Sequence, residues 1–138
     1  MPAKDIYHDT VKNALVKDGW TIIHDPLSLK IGNKDIFIDL AADKLLIAEK
    51  EEQKIAVEVK SFISPSEIED LKNALGQYIL YEKVLSHLGS ERTLYLAIRE
   101  PVFNRLFTEE IGKILLEDNT LKLLIFEPEQ EVVIQWIN

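Results

Sequence analysis

The stretch KIAVEVKSF, residues 54–62, places Glu58 and Lys60 two positions apart in what reads as a short β-strand. Ile55, Val57 and Val59 alternate with them, so the aliphatic residues face a packed layer while the acid and the base share the other face near the strand's end. A carboxylate beside an ammonium group suits metal-assisted phosphodiester hydrolysis. That reaction needs a divalent cation to polarise the phosphate and to lower the pKa of a water. Hard Mg²⁺ (or Mn²⁺) takes oxygen ligands, commonly one or two carboxylates plus water. A neighbouring Lys stabilises developing charge or orients the water. An E-x-K triplet also arises from composition alone, as one solvated face of a sheet, so the chemistry depends on what else reaches it.

Two upstream acids are candidates for the second metal ligand, Asp39 and Asp43. A hairpin turning near residues 51 and 52 sets Leu45 opposite Glu58. Asp43 then lies one diagonal step away, about 7–8 Å. On a straight strand Asp39 is roughly 20 Å from that partner, at about 3.3 Å per residue, and a bulge in DLAAD would shorten the gap. Geometry therefore ranks Asp43 first, while the IDL context, an acid between core residues, keeps Asp39 beside it.

Further along, GQYILY sets Gln77 and Tyr81 at i and i+4, on one face of a helix. With Leu75, Ile79 and Leu80 free to make the core contacts, the Gln–Tyr pair could touch a nucleotide or a water. Asp9, on the first helix, is a further candidate acid, although an exposed position for His8 and Asp9 is the simpler reading. Trp20 and Trp136 read as core or rim aromatics, and Glu49, Glu51 and Glu52 as a solvated hairpin tip. The three His residues lie far apart, and there is no Cys, so thiolate metal sites and disulfides are excluded.

The elements that must position these groups are legible in outline. Residues 4–18 carry Ile6, Val11, Ala14 and Leu15 at helical spacing and stop at DGW. TIIHD and LSLKIG read as short strands around Pro26, and DIFIDLAADKLLIAEK as one long extended segment bent near its two alanines. EEQ then turns the chain into KIAVEVK. Ser64-Pro65-Ser66-Glu67 reads as a capping box with Pro at the first helical position. The helix it opens runs to Gly89. TLYLAI is a strand buried on both faces, residues 102–117 form a helix, and LKLLIF with EVVIQWI closes the chain as a hairpin. The expected order is α-βββ-α-β-α-ββ, an α/β fold with a mixed central sheet flanked by helices.

At 138 residues the chain is the size of one domain spanning 1–138, with 46% hydrophobic and 29% charged residues. No apolar run approaches a membrane span, and MPAKDIYHD lacks the apolar segment of a signal peptide, so a cytoplasmic location is expected. The net charge of −8 argues against tight, unaided DNA binding, which relies on neutralising phosphates. A nucleic-acid role must draw on metal ions, a local basic strip or a basic partner.

An acid, then EVK on the next strand, then a helix with Q-x-x-x-Y resembles the PD-(D/E)XK nucleases, particularly their RecB-like branch. That resemblance implies a restriction endonuclease-like αβββαβ core, here with an added C-terminal helix and β-hairpin. It also implies an Asp and Glu58 as metal ligands, Lys60 beside the attacking water, Gln77 and Tyr81 on the Q-x-x-x-Y helix, and Asp9 as the optional first-helix acid. The Pro-Asp dipeptide of that superfamily is absent: Ile38 precedes Asp39 and Ala42 precedes Asp43. More narrowly, YHDTVKNALVKDGW, KIAVEVKSF, LKNALGQYILY and RTLYLAI resemble the XisH family, the fdxN element excision controlling factors of cyanobacteria. This second resemblance implies a role in controlling excision of a DNA element, beside a companion factor and a separate recombinase.

Overall fold

A computed structural model describes residues 4–48 and 50–138. Its elements follow the chain as α1 (His8–Lys17), β1 (Thr21–His24), β2 (Leu27–Ile31), β3 (Lys34–Ile38), β4 (Leu40–Leu46), β5 (Glu51–Val59), α2 (Glu67–His87) and β6 (Thr93–Arg99). A short helix α3 (Glu100–Val102), a π-helical turn (Phe103–Phe107), α4 (Glu110–Leu116) and the hairpin β7 (Leu123–Glu127) and β8 (Val132–Ile137) complete it. The result is a mixed α/β fold. Six strands form a central sheet in the order β1-β4-β5-β6-β7-β8, and β2 with β3 forms a separate two-stranded sheet. β5, β6 and β7 run parallel and the remaining pairs of the large sheet antiparallel.

Both faces of the large sheet are packed. Ile55, Val57 and Val59 of β5 join Val11 and Leu15 of α1, with Leu124 and Phe126 of β7, on one side. Ala56 of the same strand joins Leu71, Ala74 and Tyr78 of α2, with Leu96 and Ile98 of β6, on the other. The face expected to be half-solvated thus lies under a helix, and Glu58 is only 6% exposed. Tyr78 ties that helix down: its hydroxyl donates to the Thr120 carbonyl at 3.0 Å and accepts the Lys122 N–H at 3.1 Å.

Several expected boundaries move, each for a local reason. Ser66, two residues later than expected, caps α2 by accepting the Glu69 N–H at 3.2 Å. The reciprocal positions of the capping box are therefore Ser66 and Glu69. The core stripe of α2 is Leu71, Ala74, Tyr78 and Leu85, leaving Ile79 and Leu80 more than half exposed. The helix expected over 102–117 is interrupted by the π-helical turn, against which α4 packs so closely that a Cβ on Gly112 would sit 2.2 Å from the Phe107 Cα. EEQ is the start of β5 rather than a turn, and the long extended segment is two strands in two different sheets, broken at Asp39. Five strands, not three, therefore separate α1 from α2.

Candidate active site

The break at Asp39 builds the site. Ile38 ends the β3 ladder opposite Leu27, and Leu40 begins the β4 ladder opposite Val57, so the backbone of Asp39 belongs to neither. Its N–H turns to the Glu58 Oε1 at 3.3 Å. Its own carboxylate Oδ2 accepts the N–H of Val59, just past Glu58, at 2.7 Å. Pairing of β4 with β5 sets Leu45 opposite Glu52, because β4 ends at Leu46 and β5 already begins at Glu51. This register replaces the expected one, in which Leu45 faced Glu58.

Asp43 is consequently carried away from Glu58. It lies opposite Lys54, takes the Arg92 guanidinium at 2.7 Å and has the Lys54 ammonium at 3.7 Å. Arg92 in turn donates to the carbonyls of Ala42 and Ile55, each at 3.2 Å. That cluster ties β4 and β5 together away from the site, and Asp39 takes the place at Glu58 that the sequence reading ranked first for Asp43.

β5 and β6 are parallel, so β5 must be followed by a crossover, here α2. Glu58 and Lys60 lie at the carboxyl end of this pair, the end at which open α/β sheets present ligand sites. The Lys60 N–H continues the ladder to the Ala97 carbonyl at 3.1 Å, and its ammonium lies 3.9 Å from the Glu58 Oε2. Two residues on, Phe62 is a buried non-glycine residue at φ 53°, a strained conformation of a kind concentrated at functional sites.

A cavity of about 400 Å³ opens here. Asp39, Glu58 and Lys60 line it together with Gln77, Leu80 and Tyr81 of α2 and with Ile36 and Phe37 of β3. Burial and the neighbouring Asp39 charge push Glu58 up to about 8, against the pull of Lys60. Burial also raises Asp39, although the Val59 N–H opposes it. Tyr81 is pushed up to about 12 by burial and then by the Glu58 and Asp39 charges, so it stays a neutral phenol. The Gln77 Oε1 is buried and unpartnered.

Asp9 does not reach this cavity. Its side chain is 76% exposed, 3.9 Å from Lys4. The acid that the N-terminal segment does bring to the wall is Asp5, which lies ahead of α1 although the helical spacing was expected to start at residue 4. Its carboxylate accepts the N–H groups of Tyr7 at 2.9 Å and Ser61 at 3.0 Å, clamping the start of α1 to the chain just after Lys60. His8, read as exposed, is buried, with Nε2 2.6 Å from the Asp25 Oδ1. Burial pushes Asp25 up, but bonds from Lys12 and His8 outweigh it and hold the carboxyl below its usual range. Only a helical-wheel view of α1, with His8, Val11 and Leu15 in one stripe, could have signalled this.

The donor set suits a hard divalent cation. Two carboxylates crowd one another in a partly buried cavity, and carboxylate oxygens are ligands that Mg²⁺ or Mn²⁺ takes together with water. Among the described residues no group of three or more His, Cys, Asp or Glu side chains is gathered to hold a metal.

Fold and site thus define a mixed α/β protein with a partly buried acidic pair, and a lysine beside it, at the carboxyl end of its parallel strands. The chain belongs to the XisH family: the family described as XisH protein matches residues 1–134. It is similar in structure to an XisH family protein from Nostoc punctiforme, with 41% identity, 97% of this chain and 100% of that chain covered, and a TM-score of 0.86. It is equally similar to a protein from Anabaena variabilis named as an fdxN element excision controlling factor, with 40% identity, 98% and 100% coverage and the same TM-score. None of the curated proteins matches it. No helix among the described residues is long and apolar enough to cross a membrane.

Proposed function

We propose that this chain is a factor controlling excision of a DNA element and that its acidic cavity is a nuclease site of the PD-(D/E)XK kind on a restriction endonuclease-like core. The control of excision is carried over from the name of the Anabaena relative. The nuclease reading rests on one observation: Asp39, Glu58 and Lys60 meet in one cavity beside Gln77 and Tyr81. In this reading Asp39 and Glu58 hold Mg²⁺ or Mn²⁺. The chemistry such a cation supplies is polarisation of the phosphate and a lowered pKa of the attacking water. Lys60 stabilises charge on the phosphate oxygens. Gln77 and the neutral Tyr81 hydroxyl hold the nucleotide in place. In this reading the factor works with a companion factor and a recombinase.

A second reading, a nuclease-fold regulator acting through a partner protein or DNA without cleavage, draws on the charge of −8 and on Ile38 standing before Asp39 in place of Pro. Cleavage of plasmid and branched DNA with Mn²⁺ separates the two. The nuclease reading expects cleavage that Asp39→Asn, Glu58→Gln and Lys60→Ala each reduce by about 10²-fold or more. Cleavage equal in all three variants, or none by the wild type with its companion factor present, leaves the regulator.

A further inference from the structure

Resting on the nuclease reading, we infer that the cavity takes an unpaired nucleotide of a single strand rather than a nucleotide within a duplex. Its volume of about 400 Å³ is that of a small-ligand pocket. One nucleotide fits such a space. The two-stranded sheet supplies one wall of it. β3 stands apart from the central sheet and contributes Ile36 and Phe37 to the same cavity that α2 lines with Leu80 and Tyr81.

The chemistry of the lining divides accordingly. Asp39, Glu58 and Lys60 form a polar region suited to a cation and a phosphate. Phe37, Ile36, Leu80 and Tyr81 form an apolar and aromatic one suited to the face of a base. Leu80 is 52% exposed at this position, an apolar lip with no packing role in the chain's core. The buried, unpartnered Gln77 Oε1 can accept a hydrogen bond from an N–H on the Watson–Crick edge of a base, an edge that in a duplex is already occupied by the complementary base.

Charge argues the same way. Four acids (Asp5, Asp35, Asp39 and Glu58) and two lysines (Lys4 and Lys60) line the cavity, in a chain of net charge −8. A duplex binder gains its affinity from a basic surface that follows two phosphate backbones. A single strand carries one phosphate backbone instead of two, so it meets less repulsion from this acidic lining. A base already unpaired also avoids the unstacking cost that a duplex imposes.

The test is fluorescence anisotropy on the full chain with Ca²⁺ in place of Mg²⁺, using a labelled oligothymidylate and the same strand annealed to oligoadenylate as a blunt duplex. The single strand should bind about tenfold tighter or more. Phe37→Ala and Leu80→Ser should each weaken single-strand binding by about tenfold, in line with the loss of one stacked base, with Mn²⁺ affinity unchanged. Retained Mn²⁺ binding also reports that the variants fold. Equal or tighter binding of the duplex, binding of neither probe, or single-strand affinity untouched by both substitutions overturns the inference. Failure of the underlying nuclease reading shows elsewhere, as cleavage that does not depend on Asp39, Glu58 and Lys60.

Discussion

Asp39 and Glu58 hold each other in place: the Asp39 N–H points at the Glu58 carboxylate at 3.3 Å, and the Asp39 carboxylate caps the N–H of the residue after Glu58 at 2.7 Å. Neither acid can shift without disturbing the other's backbone. The arrangement fixes two like-charged groups side by side in a partly buried cavity, which costs stability unless a proton or a cation lies between them. Groups placed against the interest of the fold in this way mark sites where function sets the geometry.

The first consequence is a stability gain on removing one charge. Glu58 titrates at about 8 against an ordinary 4.5, raised first by burial and then by Asp39. Below pH 4.5 it is protonated whether folded or unfolded. As pH rises the unfolded chain ionises first, so stability is lost progressively up to about pH 8. Metal-free Glu58→Gln should therefore melt higher than the wild type above pH 8, by roughly 2–8 °C, with the difference fading below pH 4.5. Differential scanning calorimetry across that range checks it; a variant that melts lower at every pH is the contrary result.

Asp43 behaves in the opposite sense. It is the carboxylate partner of Arg92 in a largely buried cluster, with side chains 13% and 12% exposed. Arg92→Ala should lower stability by about 2–4 kcal/mol, because it leaves a buried carboxylate and two carbonyls without their donor. Asp43→Asn should cost less, about 1–3 kcal/mol. Neither change should alter Mn²⁺ affinity. Urea unfolding alongside a metal titration checks both halves.

Gly112 gives a sign test. In an exposed helix interior Gly→Ala stabilises by about 1 kcal/mol. Here the added Cβ would lie 2.2 Å from the Phe107 Cα and 2.5 Å from the Leu106 carbonyl oxygen, both of them backbone atoms. Gly112→Ala should therefore destabilise, by about 1–3 kcal/mol. Its measured unfolding free energy reports whether α4 packs on the π-helical turn as described.

The parts of the fold that local pattern determines could be read from the sequence. The α1 stripe from Val11 to Leu15, the apolar run of β6, and the closing β7–β8 hairpin follow from spacing, propensity and turn residues, whereas Ile6, expected in that stripe, precedes the helix and is exposed. Glu58, Lys60, Gln77 and Tyr81 were identifiable as candidates because alternation in a strand and i, i+4 spacing in a helix are local too. Choosing between Asp39 and Asp43 was not local. It depended on where the second strand begins: β5 pairs with β4 from Glu51 onward, where residues 51 and 52 were expected to turn, and that changes every cross-strand partner. It depended equally on β3 and β4 joining different sheets, which nothing in DIFIDLAADKLL announces. Asp5 was not a candidate and His8 read as exposed because what holds them lies far away in sequence, at Ser61 and Asp25.

The most direct measurement is isothermal titration calorimetry of Mn²⁺ into the wild type and into Asp39→Asn, Glu58→Gln and Asp43→Asn. Asp39 and Glu58 as paired ligands predict one site in the wild type, weakened by about tenfold or more in each of the first two variants and unchanged in Asp43→Asn. No Mn²⁺ binding by the wild type, or a site lost in Asp43→Asn and retained in the other two, would contradict it.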